Sequence, residues 1–269
     1  MKKGKRLDAF LAESNRSESR EKARREILAG WVKVNGETVR TPSRPVREGD
    51  AVTVERPGGV FVSRGGEKID HALELFGIDL AGKACADLGA STGGFTHCML
   101  MRGARAVYAV DVGYGQLDYR LRNDPAVRVM ERTHVKDLAP GHFTDRIDFV
   151  AADLSFISIT KVFDRIRELF APAEGLILIK PQFEADKSEQ KKGVVRGAEA
   201  HRAILNRVLA ALVDKGMALR GLCHSPIKGP AGNIEFFAYF SLAGEPTQFE
   251  GGLAGLVDRV VAEAHAELD

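Results

Sequence analysis

Four polar residues stand where the chain pattern predicts strand ends or the approach to the first strand: Lys68, Asp153, Lys180 and Glu235. Asp153 and Lys180 close the apolar runs Phe149-Val-Ala-Ala-Asp153 and Leu176-Ile-Leu-Ile-Lys180. Glu235 opens Glu235-Phe-Phe-Ala-Tyr239, and Lys68 lies on a short helical segment ahead of the set. In an open α/β sheet, ligands bind outside the carboxyl ends of the strands. Two lysines and two carboxylates gathered there would activate a hydroxyl. A lysine takes a proton only if its pKa is lowered; burial and a second cation do that, and a carboxylate opposes it. Lys180 therefore reads as the base, oriented by Lys68 and Asp153, with the two lysines depressing one another. Glu235 reads as a hold on a ribose.

The elements that must position these residues alternate from residue 63 onward. Strands are expected at 83–88, 106–111, 127–130, 147–153, 175–180, 217–223 and 234–241, and long helices at 198–215 and 253–266. That alternation predicts an α/β fold with a Rossmann-like, doubly wound parallel sheet. After the first strand comes Asp87-Leu-Gly89-Ala-Ser91-Thr92-Gly93-Gly94-Phe95-Thr96, a glycine-rich nucleotide loop with Ser91 in the place of the middle glycine. Asp111 ends the next strand, where an acid binds ribose hydroxyls. A nicotinamide dinucleotide and S-adenosylmethionine both suit such a loop. Asp87 before the loop, the missing middle glycine and Asp137 after the third strand favour S-adenosylmethionine. Asp87 would face its charged amino-acid end and Asp137 its adenine amine.

The segment after the fourth strand narrows the choice of acceptor. Methylation of exocyclic amines typically uses Asn/Asp-Pro-Pro-Phe/Tyr there, whereas this chain has Asp153-Leu-Ser155-Phe156. Attack by pyrimidine carbon needs a cysteine nucleophile near a fourth or fifth strand end, and Cys85, Cys98 and Cys223 are elsewhere. A ribose hydroxyl remains. Its methylation is an in-line displacement helped by alignment and a base.

Residues 1–60 hold 14 Lys/Arg against 9 Asp/Glu, and the remainder 25 against 28. A basic module on a near-neutral body suggests polyanion docking. Within it, Leu7, Phe10 and Leu11 predict one helix, and a second follows Ser17 or Ser19 to Leu28. Arg16, Arg20 and Arg24 fall at i, i+4 and i+8, flanked by Lys22 and Arg25. Asn35-Gly36 predicts a hairpin turn, and Arg56-Pro-Gly-Gly59 a break. No apolar run is long enough for a membrane helix, and the start shows no signal-peptide core. Three cysteines without framework or metal spacing suggest a reduced, cytoplasmic protein with no metal site.

The order Arg6-Leu-Asp … Ser17-Glu-Ser-Arg20 … Val-Lys-Val-Asn35-Gly36 … Gly-Asp50-Ala-Val-Thr-Val resembles the α-L RNA-binding module. The segments Val62-Ser-Arg-Gly-Gly-Glu-Lys68, Asp87 to Thr96, Asp111-Val-Gly-Tyr-Gly-Gln-Leu117, Ala152-Asp-Leu-Ser-Phe-Ile-Ser158, Lys180-Pro-Gln-Phe-Glu184 and Gly229-Pro-Ala-Gly-Asn-Ile-Glu235 resemble the TlyA family, nearly end to end. That family is similar to FtsJ-type ribose 2′-O-methyltransferases, whose Lys-Asp-Lys-Glu tetrad falls on Lys68, Asp153, Lys180 and Glu235. The resemblance implies S-adenosylmethionine-dependent 2′-O-methylation of cytidine in ribosomal RNA, of the large subunit and in some members also the small one. It implies cofactor contacts from Asp87, Gly89, Ser91, Thr92, Gly93, Gly94, Phe95, Asp111, Asp137 and Asp153. The RNA would dock on Arg6, Arg16, Arg20, Lys22 and Arg24. The expected organisation is an RNA-binding domain over 1–55, a linker over 56–62 and a methyltransferase domain over 63–269, acting as a monomer. Two places depart from the family: the linker lacks the aromatic residues that follow an arginine in relatives, and Glu67 precedes the tetrad lysine where relatives often have His. The rival readings are a non-catalytic ribosome assembly factor, a nicotinamide oxidoreductase, and the membrane lysis implied by the haemolysin name this family carries.

Overall fold

A computed structural model describes residues 4–14, 16–17, 19–28, 30–47, 49–54, 60–186, 190 and 193–269, Arg25 by its backbone only. The turn expected at Arg56-Pro-Gly-Gly59 lies outside the described residues. The chain divides into two compact units, Met1–Gly59 and Val60–Asp269.

The first unit contains β1 (Lys5–Arg6), α1 (Leu7–Glu13), α2 (Arg20–Leu28), β2 (Val32–Val34), β3 (Glu37–Val39), β4 (Pro45–Val46) and β5 (Val52–Val54). Leu7 and Leu11 of α1 and Ala23 and Ile27 of α2 are buried with Val32, Val34, Val39, Val46 and Val52. Each helix thus offers a narrow apolar stripe to a three-stranded sheet ordered β3-β2-β5. Asn35 and Gly36, at φ +55 and +83, make the primed turn that matches strand twist. Ser19 Oγ accepts from Lys22 N at 3.1 Å and caps α2. Arg16 precedes that cap, so it is not on the α2 face shared by Arg20 and Arg24. It donates instead to Val52 O and lies over the Phe10 ring, 5.4 Å from its centroid.

The second unit carries α3 (Gly65–Leu75), β6 (Ala84–Leu88), α4 (Gly94–Met101), β7 (Ala106–Val110), α5 (Tyr119–Arg122), β8 (Val127–Met130), β9 (Phe149–Ala152), α6 (Phe163–Phe170), β10 (Glu174–Ile179), α7 (Pro181–Glu184), α8 (Ala198–Asp214), β11 (Ala218–His224), β12 (Phe236–Ser241) and α9 (Gly252–Leu268). The sheet order is β11-β12-β10-β9-β6-β7-β8. All neighbours pair in parallel except β12, which runs against β10 and β11. The strands bury both faces. In β10, Ile177 and Ile179 enter one core while Leu176 and Leu178 enter the other. This produces the unbroken apolar runs of the sequence. Helix α6 was not apparent from the sequence pattern; Phe163, Ile166 and Phe170 are its buried stripe. Among the described residues no helix is long and apolar enough to cross a membrane.

Candidate active site

Topology brings the four polar residues to one edge. The chain leaves β6 toward β7 and returns to β9 on the other flank of β6, which opens a crevice at the carboxyl ends of β6 and β9. Asp153 follows the last residue of β9 and Lys180 the last residue of β10. Glu235 precedes its strand, yet reaches the same edge because β12 is reversed: Phe236 pairs with Ile179, which sets Glu235 beside Lys180 in register. Lys68 lies in the first turns of α3 and is buried.

The side chains form two ion pairs. Lys180 Nζ is 2.6 Å from Asp153 Oδ1 and donates to Ser155 Oγ at 2.9 Å. Lys68 Nζ donates to Glu235 Oε2 at 2.5 Å, with side-chain exposures of 8% and 1%. Gln182 Nε2 reaches Glu235 Oε1 at 3.4 Å. Each lysine is therefore closed by a carboxylate. Only the Lys180 pair is partly open to solvent.

The glycine-rich loop meets this site directly. Gly89 has φ +93, and a Cβ there would stand 2.4 Å from Asp153 O, so a side chain would fill the crevice. Asp87 is buried. Its Oδ2 accepts from Thr96 N at 2.8 Å and Thr96 Oγ1 at 2.6 Å, and its Oδ1 has no partner among the described residues. Burial pushes this carboxyl up to about 7, against the lowering effect of the Thr96 bonds. Asp111 accepts from Ser91 N at 2.8 Å and Gly113 N at 2.6 Å, which ties the loop to the second strand end. An unpartnered buried carboxylate oxygen at the loop and an acid at the next strand end fit the cationic amino group and ribose of S-adenosylmethionine.

One expected cofactor contact, Phe95, has only its backbone to offer. Phe95 is buried in the core against Phe237, at 6.0 Å between ring centroids, leaving its backbone alone to line the loop. Asp137 is exposed on a 3₁₀ turn whose cap is His134, accepting from Lys136 N. The three cysteines are buried; burial pushes Cys85 and Cys223 up to about 12 and Cys98 higher still.

In the first unit, Arg6 and Arg20 share one carboxylate. Asp8 accepts from Arg6 Nε and Nη2 at 3.1 and 2.9 Å, and Arg20 Nε lies 3.4 Å away. The Arg6 bonds hold Asp8 down to about 2. Both arginines remain half-exposed or more. Arg24 is exposed on α2 and Lys22 partly so.

Three neighbours of the site escaped sequence reasoning. Ser155 is the second partner of Lys180. Glu184 accepts from Ile159 N at 2.8 Å and pins the loop after β9; burial raises its carboxyl. Phe156 is 91% exposed at φ +64, its ring 5.1 Å from that of Phe183. A left-handed phenylalanine leaves no mark in composition or spacing.

Residues 61–242 match the FtsJ-like methyltransferase family and residues 5–52 the S4 domain. The chain is 39% identical to the 16S/23S rRNA (cytidine-2′-O)-methyltransferase TlyA of Mycobacterium tuberculosis, over 96% of this chain and 97% of that one. It is 43% identical to Hemolysin A of Brachyspira hyodysenteriae, over 87% and 99%. A solved structure from Streptococcus thermophilus that bears a hemolysin name superposes with a TM-score of 0.77 at 36% identity, covering 99% of this chain and 98% of that one. The chain thus belongs to the FtsJ-like methyltransferase family, in its TlyA branch, with an S4 domain in its first unit.

Proposed function

We propose that this S-adenosylmethionine-dependent enzyme methylates the 2′-oxygen of a cytidine in ribosomal RNA within the cytoplasm, the first unit docking the RNA and the second performing the transfer. The observation that carries the reading is the meeting of the Lys180–Asp153 and Lys68–Glu235 pairs beside the glycine-rich loop. S-adenosylmethionine supplies an electrophilic methyl group on a sulfonium.

The residues of the chain supply the remainder. The ribose hydroxyl is aligned for in-line attack, and its proton leaves as the oxygen–methyl bond forms. Lys180 must shed a proton before it can take one, and Asp153 is the acceptor at hand. Covering Asp153 with RNA removes water from the pair, and a dry ion pair is costly. Proton transfer from Lys180 to Asp153 relieves that cost and exposes the amine lone pair to the hydroxyl. Ser155 fixes the direction of Nζ. The Lys68–Glu235 pair is already dry, and Glu235 Oε1, held among the described residues only by Gln182 at 3.4 Å, is the oxygen that would turn to the sugar.

The relatives' names supply the nucleoside and the RNA class; the absence of an Asn/Asp-Pro-Pro motif and of a site cysteine supports a hydroxyl acceptor. The test is transfer of labelled methyl from S-adenosylmethionine to unmodified ribosomal subunits, whole and dissociated, with the product nucleoside identified after digestion. Label in 2′-O-methylcytidine is expected. Tight RNA binding with no transfer would instead mark a non-catalytic assembly factor.

A further inference from the structure

The loop joining β11 to β12 carries Glu235 on one side and walls a cavity of about 380 Å³ on the other. Arg196, Gly197, His201, Lys228, His265 and Asp269 line that cavity. Asn233, buried at the centre of the wall, accepts from Val195 N and donates to Gly193 O, each at 3.0 Å. Gly229 N donates to Asn233 O at 2.9 Å, and a Cβ on Gly229 would stand 2.5 Å from Glu235 Oε1. The cavity wall is thus also the support of Glu235. The cavity opens at the active-site edge of the sheet, where α8 begins and β11 ends.

Its lining is suited to two kinds of ligand atom. Arg196 is exposed and forms no ion pair among the described residues. Lys228 stands 3.4 Å from Asp269. Helix α8, 17 residues long, begins after Gly197, and among the described residues no side chain caps it, so its first amides have no intrahelical acceptor. These groups favour an anion. His201 adds a different demand. Asp269 can only accept, so the bond of 2.5 Å puts a proton on His265 Nδ1. In the tautomer that carries its single proton on Nδ1, His265 accepts through Nε2 from His201 Nδ1 at 2.9 Å. Burial pushes His201 down to about 4, which keeps it neutral. In that tautomer the buried Nε2 of His201, without a partner among the described residues, is left as an acceptor in want of a donor.

An anion beside a sugar hydroxyl donor is the repeating unit of an RNA backbone; DNA lacks the second feature. We propose that this cavity is a subsite for a phosphodiester and adjoining ribose hydroxyl of the RNA that flanks the target nucleotide. The assignment rests on RNA being the substrate. It explains why the wall is braced so tightly: seating the flanking backbone fixes the loop that presents Glu235 to the target ribose.

The test uses the full chain and unmodified large-subunit ribosomal RNA, with binding measured across a potassium chloride series. Arg196→Ala and Lys228→Ala should each weaken binding several-fold and flatten the plot of log affinity against log salt by about 0.7–0.9. Arg196→Lys should restore the slope. Thermal midpoint and S-adenosylmethionine affinity, both unchanged in Arg196→Ala, verify the fold. A single-stranded DNA of the same sequence should compete poorly against wild type. Unchanged salt slopes in both alanine variants would overturn the subsite, as would equal competition by DNA. Should wild type bind RNA with these slopes but transfer no methyl, the methyltransferase reading fails and the subsite stands; transfer with unaltered slopes means the reverse.

Discussion

Lys180 Nζ lies 2.6 Å from Asp153 Oδ1, and the two residues follow neighbouring parallel strands, Lys180 two residues farther along the shared register than Asp153. The pair is partly open, with side-chain exposures of 10% and 22%. Lys180→Ala should lower methyl transfer by roughly 10²–10⁴-fold, while S-adenosylmethionine affinity stays near wild type. Single-turnover transfer and calorimetric titration separate the two. Equal loss of both would show that Lys180 holds the cofactor site together and is not the base.

The second pair should behave differently, because Lys68 and Glu235 are buried. Removing one partner leaves a dry, unpaired charge, at a cost of about 3–5 kcal/mol. Glu235→Ala is expected to unfold at lower urea by that margin. Lys68→Met combined with Glu235→Leu should recover most of the stability while leaving transfer near background. Recovery of transfer along with stability would remove Glu235 from the hold on the ribose.

Asp87 should link cofactor binding to pH. Its carboxyl is raised to about 7, above the unfolded value of about 3.9. Between those two values the folded state binds the extra proton, so stability falls as pH rises through the window. Asp87→Asn should flatten that decline, seen as a smaller loss of thermal midpoint between pH 4 and pH 8. A cation engages the ionised form, so wild-type affinity for S-adenosylmethionine should climb as pH rises through about 7. An affinity independent of pH across this range would mean that Asp87 does not meet the cofactor's charge.

The arginine clamp on Asp8 should bear on RNA docking. Holding Arg6 and Arg20 in place by one buried carboxylate reduces the entropy lost when they meet phosphates. Asp8→Asn should therefore weaken RNA binding about three- to ten-fold with little change in salt slope, since no phosphate contact is deleted. Arg20→Ala with Arg24→Ala should lower the slope itself. Depressed to about 2, Asp8 also supports folding above its unfolded pKa, and that support is lost as pH falls toward 2.

These residues also show what a sequence can and cannot disclose. Asp153 and Lys180 were legible because each ends an apolar run, and apolar runs ending in charge mark the rim of a buried parallel sheet. Glu235 looked misplaced at a strand start; only the reversal of β12 explains it, and strand direction is set by pairing partners far away in sequence. Lys68 had no pattern of its own beyond an amphipathic turn. Arg16 was assigned to a helix face by spacing alone, but the cap at Ser19 starts the helix later. Spacing has no meaning until the first residue of the helix is known.

Phe156 gives the last test. A phenylalanine with 91% of its surface exposed and φ +64 is held in a conformation that costs about 1–3 kcal/mol. It sits between Ser155, which touches Lys180, and the loop pinned by Glu184. An exposed ring at the lip of a site for a single ribose is placed to stack on an unstacked base. Phe156→Gly removes both the strain and the ring, so it should be as stable as wild type or slightly more so, yet raise the KM for RNA about ten-fold, corresponding to one stacking contact. Phe156→Tyr keeps the ring and should keep the KM. Phe156→Ala keeps the strain without the ring, so it should match wild type in stability and lose only in KM. If glycine instead destabilises the fold while sparing the KM, the ring is packing for Phe183 and the base stacks elsewhere.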